Sequence, residues 1–339
     1  MKVLLTGGAG YIGSNILSCL LNEGYEVVVF DNFTNTSKSK ISFLEKFFQE
    51  KINIIEGDLI YIDQIRSLFK SEMIDIVIHL AGLKSVSESI EKPFLYYQNN
   101  IFGTINLLQA MEESKVKRII FSSSATIYGD PQQLPIKETH PINPKNIYGA
   151  TKATVENLIS SICNEIYEFN AVSLRYFNPV GSDPSFTLGE FMNKNQNNLM
   201  PIINLNAFGR INKFEIFGSD FESKDGYAKR DFIHITDLAN AHLCSINYLA
   251  NQKNYKNEFF NIGTGKGTSV KELISCYEAT NNIELNYSVG KRRKGDIAIS
   301  VACPKKANED LHWKAIYSLE DMCKSSFEFY NRFPEALSA

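Results

Sequence analysis

Tyr148 and Lys152 stand four residues apart in the stretch Tyr148-Gly149-Ala150-Thr151-Lys152. On a helix that spacing puts both side chains on one face, a single turn apart. An ammonium beside a phenol favours the phenolate and draws a pKa of about 10 toward neutrality. A phenol tuned in this way can accept a proton from a sugar or alcohol hydroxyl. The same spacing occurs on ordinary amphipathic helices, so its meaning depends on what the chain places beside it. Ser122, Ser123 and Ser124 close a short apolar run. In an open parallel sheet, ligands bind at such strand ends, where a hydroxyl could bond the reacting oxygen and relay its proton to Tyr148. Strand-end turn serines are a serious alternative for Ser122 and Ser123. That alternative is weaker for Ser124, which leads into Ala125-Thr126-Ile127-Tyr128-Gly129.

A second group of residues suits a phosphate. Gly7, Gly10 and Gly13, with Tyr11 and Ile12 between them, follow an apolar strand and open a helix. Such glycines allow a tight turn, close backbone approach to a pyrophosphate and close packing of helix on sheet. The helix N-terminus adds free N–H groups and the positive end of its dipole. Asp31 follows Gly13 by 18 residues, at the end of the next strand and beside Asn32. A carboxylate there can accept both hydroxyls of a ribose. No arginine follows closely, and the nearest downstream cation is Lys38. A 2′-phosphate would meet the carboxylate without a compensating charge, so the cofactor expected is NAD rather than NADP. Asp58-Leu59 could reach the adenine, although a surface helix cap serves equally well for Asp58. Leu80-Ala81-Gly82 offers small residues where backbone could pass close to the cofactor.

The elements that must position these groups read as an α/β chain. Short apolar runs alternate with helical patterns, which indicates a Rossmann-type doubly wound parallel sheet with a smaller C-terminal substrate-binding lobe. Strands are expected at Val3–Leu5, Glu26–Phe30, Ile52–Glu56, Ile74–Leu80, Arg118–Ser122 and Val172–Tyr176. Helices are expected over Ile12–Leu21, 61–71, 94–113 and 148–168. The first unit would span 1–179 and the second 180–339. Within the second, 181–230 reads as loops with short strands such as Glu215–Phe217, and Tyr255–Ile262 returns a strand to the larger sheet.

With 339 residues, 44% of them hydrophobic and a net charge of −3, the chain can bury a large core and has no bulk attraction for nucleic acid. Its six cysteines form no CxxC pair, which makes metal-cluster and disulfide-framework readings poor. No secretory leader and no membrane-length apolar run is visible, so a cytoplasmic protein is expected.

Several longer segments carry a family resemblance. They are the opening TGGAGYIGS, Ala81–Lys84, SSSATIYG at Ser122–Gly129, RYFNPVG at Arg175–Gly181, NNLMP at Asn197–Pro201 and KRDFIH at Lys229–His234. With Tyr148 and Lys152, the chain resembles the extended short-chain dehydrogenase/reductases and, within them, the UDP-sugar 4-epimerases. The segments keep family order from residue 1 to about 300, as the sequence stands. The resemblance implies interconversion of UDP-glucose and UDP-galactose: C4 is oxidised transiently by NAD, the 4-keto sugar turns over, and the hydride returns to its other face. It implies Tyr148 as base, Lys152 as the cation beside it and Ser124 as the orienting hydroxyl. It also implies Lys84, Asn99, Ser122 and Phe177 on the cofactor side. Asn178, Asn198, Leu199 and Phe217 would hold the uridine end, Arg230 and Arg293 the diphosphate, and Asp296 a ribose. Relatives often dimerise through two helices of each subunit, which implies a homodimer built on 94–113 and 148–168.

Ser300 departs from the bulky tyrosine carried there by relatives confined to glucose and galactose. A serine leaves room for an acetamido group, so UDP-GlcNAc and UDP-GalNAc are expected substrates as well. A loop residue outside the pocket is the competing reading. A 4,6-dehydratase is a poor alternative, because Ala125-Thr126 stands where those enzymes carry an Asp-Glu pair. A UDP-uronate or UDP-pentose 4-epimerase shares the same chemistry. A dinucleotide sensor without catalysis would usually have lost Tyr148 or Lys152.

Overall fold

Residues 1–36, 44–49, 51–166, 168–192, 198–252, 256–293 and 296–337 are described in the computed structural model. Lys38, Asn197 and Tyr255 fall outside them. Seven parallel strands form the central sheet: β1 (Lys2–Thr6), β2 (Glu26–Asp31), β3 (Asn53–Glu56), β4 (Ile76–His79), β5 (Arg118–Ser124), β6 (Asn170–Tyr176) and Asn257–Ile262. Their order across the sheet is Asn257–Ile262, β6, β5, β4, β1, β2, β3. The order reverses beside β1, between β4 and β2. That is the crevice at which such sheets bind ligands.

Helices cover both faces, and the strand period of two decides which residue meets which helix. Val3 and Leu5 of β1 face a core shared with the helices Tyr11–Asn22 and Ile235–Asn251. Leu4, between them, faces the opposite core, with Phe121 of β5 and the helices Ile62–Ser71, Gly103–Glu113 and Ile147–Glu165. The last strand of the sheet, Asn257–Ile262, pairs with β6 from Asn257↔Ala171 to Ile262↔Tyr176.

A separate apolar cluster holds the smaller lobe, joining Met200, Ile203, Phe214, Ile216, Leu273, Tyr277 and Met322. Three helices supply that cluster, Leu199–Ala207, Val270–Asn281 and Leu319–Arg332, the first of them within 181–230, where the sequence pattern suggested loops and short strands. Val270–Asn281 starts at a reciprocal Ser269/Glu272 capping box and stops at Asn282, which takes the left-handed conformation at φ +51°. A second departure concerns 94–113. The chain there is α-helical at Pro93–Tyr96, opens into a wider π turn over Tyr97–Phe102, and resumes as Gly103–Glu113. Among the described residues no helix is long and apolar enough to cross a membrane. No group of three or more His, Cys, Asp or Glu side chains is gathered to hold a metal ion among them.

Candidate active site

The glycine loop lies between the ends of β1, β2 and β4. Gly7 takes φ +72°, and a methyl group there would stand 2.8 Å from the Ala81 amide nitrogen. One at Gly13 would stand 2.4 Å from the Gly7 carbonyl oxygen and 2.6 Å from the Gly8 Cα. Both positions therefore require glycine, because backbone packs on backbone. Gly10 precedes the first turn of Tyr11–Asn22 and has no side chain to cap it. This is the geometry of a phosphate cradle: bare backbone, an uncapped helix start and no side chain in the way. Tyr11 turns away from the cradle and donates its hydroxyl to the Gly181 carbonyl at 2.6 Å.

Asp31 leans over the loop, accepting from the Ala9 amide at 3.0 Å and from the Phe33 amide at 2.9 Å. Its neighbour Asn32 donates to Asp58 Oδ2 at 2.8 Å, tying the end of β2 to the segment after β3. Asp58 also accepts from the Ile60 amide, and Tyr61 stands at the N-cap of the following helix, so the cap reading of Asp58 falls. Leu59 is buried, and its carbonyl accepts from Asn106 at 2.9 Å. After β4 the backbone passes Leu80, Ala81 and Gly82, the last at φ +157°. Asn100 holds that turn from the π segment, accepting from Leu83 N at 2.8 Å and donating to Leu83 O at 3.0 Å. Asn99 instead donates to Leu95 O within its own helix. Lys84 reaches across to Glu190 at 2.9 Å.

The helix Ile147–Glu165 starts from Asn146, whose side chain accepts from the Gly149 amide at 2.8 Å. A methyl group at Gly149 would meet the Thr126 carbonyl at 2.8 Å, so this glycine lets the helix start press against the turn after β5. That contact brings Tyr148 beside Ser124, whose hydroxyl accepts from the Thr126 amide and hydroxyl. Lys152 is buried and donates to the Ser122 carbonyl at 2.7 Å, its Nζ 4.8 Å from the Phe121 ring centre and 5.9 Å from that of Tyr148.

These contacts correct the expected electrostatics. Burial raises the Tyr148 phenol above its ordinary pKa, and the Ser124 hydrogen bond draws it partly back. Burial also lowers Lys152, to about 8, against the raising charge of Glu156. The ammonium is committed to a carbonyl, and desolvation outweighs its help to the phenol. Behind Lys152, buried His79 bridges Thr6 at 2.8 Å and Thr104 at 2.9 Å, and burial lowers it to about 3. A neutral imidazole there adds no second cation to the site.

The residues read for the substrate converge in part. Arg230 donates to Asp296 at 3.2 Å, and Arg293 lies 3.4 Å from the other oxygen of that carboxylate. The Arg293 guanidinium also lies 4.6 Å from the Phe217 ring centre. Ser300 is not in a loop: it pairs with Arg230 in a short parallel ladder. Asn178 is exposed, and its amide donates to Asp231 O. Phe177 is buried with Ala153, on the helix that carries Tyr148. Asn198 caps the helix begun by Leu199 without a side-chain bond, and that helix packs in the core under the Phe217 strand.

Several contributors escaped the sequence reading. Asp231 is buried beside Arg230 and accepts from Thr264 N, Gly265 N and Ala302 N at 2.8–3.1 Å. Arg175 and Glu156 form an ion pair at 2.7 Å, respectively 2% and 1% exposed. Each left a signal: Arg175 interrupts an apolar strand, and Glu156 continues the four-residue spacing of Tyr148 and Lys152.

Residues 3–263 match the family model described as the NAD dependent epimerase/dehydratase family. The chain is 40% identical to the UDP-glucose 4-epimerase of Dictyostelium discoideum over 337 residues, 99% of this chain and 98% of that one. It is similar to the crystal structure of UDP-glucose-4-epimerase from Stenotrophomonas maltophila with bound NAD and formylated UDP-arabinopyranose (TM-score 0.95, 37% identity, 99% of each chain). A like match is the enzyme of Bifidobacterium longum in complex with NAD+ and UDP, with a TM-score of 0.94, 38% identity and coverage of 99% and 100%.

Proposed function

The chain belongs to the NAD dependent epimerase/dehydratase family, and from that membership we propose an NAD-dependent isomerase that interconverts UDP-glucose and UDP-galactose at C4. The observation that carries this reading is the joining of a glycine cradle at β1 with Tyr148, Ser124 and Lys152 at the end of β5. The cradle fits a dinucleotide, since side chains at Gly7 and Gly13 would close it. Gly10 and the uncapped turn at Tyr11 and Ile12 would face the pyrophosphate, Asp31 a ribose, and Asn32, Asp58 and Leu59 the adenine side. Leu80, Ala81, Gly82, Lys84, Asn99, Ser122 and Phe177 complete the cofactor side. Bound NAD supplies an acceptor that takes a hydride from C4 and gives it back, so no second substrate is needed.

The protein's own groups move the proton. Tyr148 takes it from the C4 hydroxyl and returns it after the sugar has turned, while Ser124 orients the oxygen. Lys152 holds the end of β5 and keeps a positive charge within reach of both. On the far side, Arg230 and Arg293 take the diphosphate, Asp296 a ribose, and Asn178, Asn198, Leu199 and Phe217 the uridine. Gripping the nucleotide firmly leaves the keto sugar free to rotate. Ser300, beside Arg230, presents a small wall, from which we infer turnover of UDP-GlcNAc and UDP-GalNAc as well. The exposed apolar side chains of Ile90, Phe94, Leu95, Tyr97, Phe102 and Ile105 support a homodimer.

The test is an NMR assay of the NAD-loaded protein with UDP-glucose, UDP-GlcNAc and UDP-glucuronate in parallel. Epimerisation of the first two is expected. Tyr148→Phe should lose about 10²–10⁴-fold in turnover, the usual contribution of a general base. No turnover of UDP-glucose by the loaded wild type removes the reading. Turnover of UDP-glucose without UDP-GlcNAc removes the role of Ser300.

A further inference from the structure

The helix that carries Tyr148 lies along β5, and two of its residues meet that strand in step. Tyr148 meets Ser124, and Lys152 meets the carbonyl of Ser122. Four helical residues advance about 6 Å, and two strand residues about 6.6 Å, so the two contacts fit only one relative setting of helix and strand. A slide of one strand residue would carry Tyr148 about 3.3 Å from Ser124. Neither contact by itself prevents such a slide, because Lys152 is long and could follow another carbonyl.

Glu156 is placed to prevent it. It stands one turn beyond Lys152, and helical side chains lean toward the N-terminus, which points Glu156 back at the end of β5. Its Oε1 accepts from Ser123 Oγ at 2.5 Å and from Arg175 Nε at 2.9 Å, and its Oε2 accepts from Arg175 Nη2 at 2.7 Å. Arg175 is on β6, and its remaining nitrogen reaches the Tyr128 hydroxyl and the Glu138 carbonyl, each at 2.8 Å. The carboxylate is thus bonded to two adjacent strands through a hydroxyl and a planar guanidinium, both buried. Breaking such a pair from one side leaves a buried charge alone, which makes the register expensive to lose.

We propose that Glu156 is a positioning residue: gripping Ser123 of β5 and Arg175 of β6, it sets the helix register that holds Tyr148 and Lys152 at the Ser124 end of the strand. The proposal rests on the epimerase reading of this site. A second effect follows from its charge. The groups facing Lys152 are Tyr148 and Glu156 on its own helix, His79 on β4, and the Phe121 ring and Ser122 carbonyl on β5. His79 is neutral, so Glu156 is the anion that keeps Lys152 protonated against its burial. Removing it should deprotonate Lys152 at lower pH.

Three variants separate position from charge. Glu156→Gln loses both, so kcat should fall roughly 10- to 100-fold, as misplacement of reacting groups does, with KM for the UDP-sugar within about twofold. Its alkaline limb of activity should move down by about one pH unit. Glu156→Asp keeps the charge and shortens the reach, so kcat should fall while the limb stays. Ser123→Ala keeps the Arg175 pair, and should lower kcat about tenfold without moving KM or the limb. In cofactor-free protein carrying 13C-labelled lysine, NMR titration of the Lys152 Cε should show the lower midpoint in Glu156→Gln alone. Should Glu156→Gln fail to fold, the other two decide: parental kcat in both overturns the proposal. So does an unchanged Lys152 midpoint in folded Glu156→Gln, or a drop in every variant that appears in KM. A parent without epimerase activity overturns the functional reading instead, while the NMR midpoint still reports on Glu156.

Discussion

At the scale of residues, the arrangement around Asp296 gives two arginines different surroundings, as the motif around Arg230 and the cationic run Lys291–Lys294 around Arg293 suggest. Both share that carboxylate, yet the Arg230 side chain is 20% exposed and the Arg293 side chain 55%. Arg230 is held further by the carbonyl of Lys229, whereas Arg293 leans on the Phe217 ring. A charge-assisted bond to phosphate from a fixed, half-buried guanidinium is worth about 1.5–3 kcal/mol, and from an exposed one much less. Arg230→Ala should therefore raise KM for UDP-glucose about 10- to 100-fold, with kcat changed less. Arg293→Ala should raise it only a few-fold, and steady-state kinetics of the two variants side by side check the ranking. Equal effects would show that exposure does not set their worth here. The same comparison marks what could be read in advance. Residue types and spacings were enough to bring forward Tyr148, Lys152 and Ser124, whereas Arg230 and Arg293 came forward only through the family resemblance of the segments around them. Protonation was not legible, because it depends on burial and on Ser122 taking the Lys152 ammonium, and neither leaves a trace in spacing.

Among the elements, the segment from Val86 to Glu113 shows how a long-range demand reshapes a helix. Its sequence suggests one continuous run over 94–113, but the middle widens to a π turn where Asn100 must reach Leu83 and Thr151. Such insertions occur where a side chain is needed at an angle that an α-helix does not offer. The outward side of the same segment stays apolar: Phe94 is 86% exposed and Ile90 65%. Exposed apolar side chains gathered on one segment suit a surface that a partner covers. A second copy of the same segment would cover it isologously. Sedimentation of the NAD-loaded protein should accordingly give twice the chain mass of 38.3 kDa. Phe94→Glu should shift it toward the single chain, because the charge would lose its water in the paired state. A monomeric wild type at micromolar concentration would end the pairing. The helices of the smaller lobe were missed for a related reason. They bury polar side chains, as Asn204 does with Tyr277 and Ser326, which blurs an apolar stripe. The inner strands β1, β2 and β4 bury both faces and so remained readable as apolar runs.

For the molecule as a whole, three buried histidines tie stability to pH. Burial holds His79 at about 3, His234 at about 4 and His242 at about 4. Their hydrogen bonds suit the neutral ring. His242 Nδ1 faces the Leu238 carbonyl, which can only accept, so Nε2 accepts from the Tyr176 hydroxyl. His234 Nδ1 accepts from the Thr236 amide, leaving Nε2 to donate to Ser325. In the unfolded chain all three titrate near 6.5. Between that value and about 4 the unfolded state binds more protons than the native state, so stability falls as pH falls through this window. Asp237 opposes the trend. Burial raises it to about 6, so below that pH the native state gains a proton that the unfolded carboxyl takes up only near 3.8. Glu138 and Asp231 are raised by burial as well and oppose it in the same sense at lower pH, so the fall is steepest just below 6.5, at up to about 1.4 kcal/mol per pH unit for each imidazole. Denaturant midpoints measured from pH 7 to 4.5 should fall steeply below about 6.5. The Tyr176–His242 contact joins the sheet to the helix Ile235–Asn251, so His242→Gln should flatten that fall, whatever it does to the value at pH 7. A midpoint that stays level through the window in the wild type would mean that the buried imidazoles find a proton without unfolding.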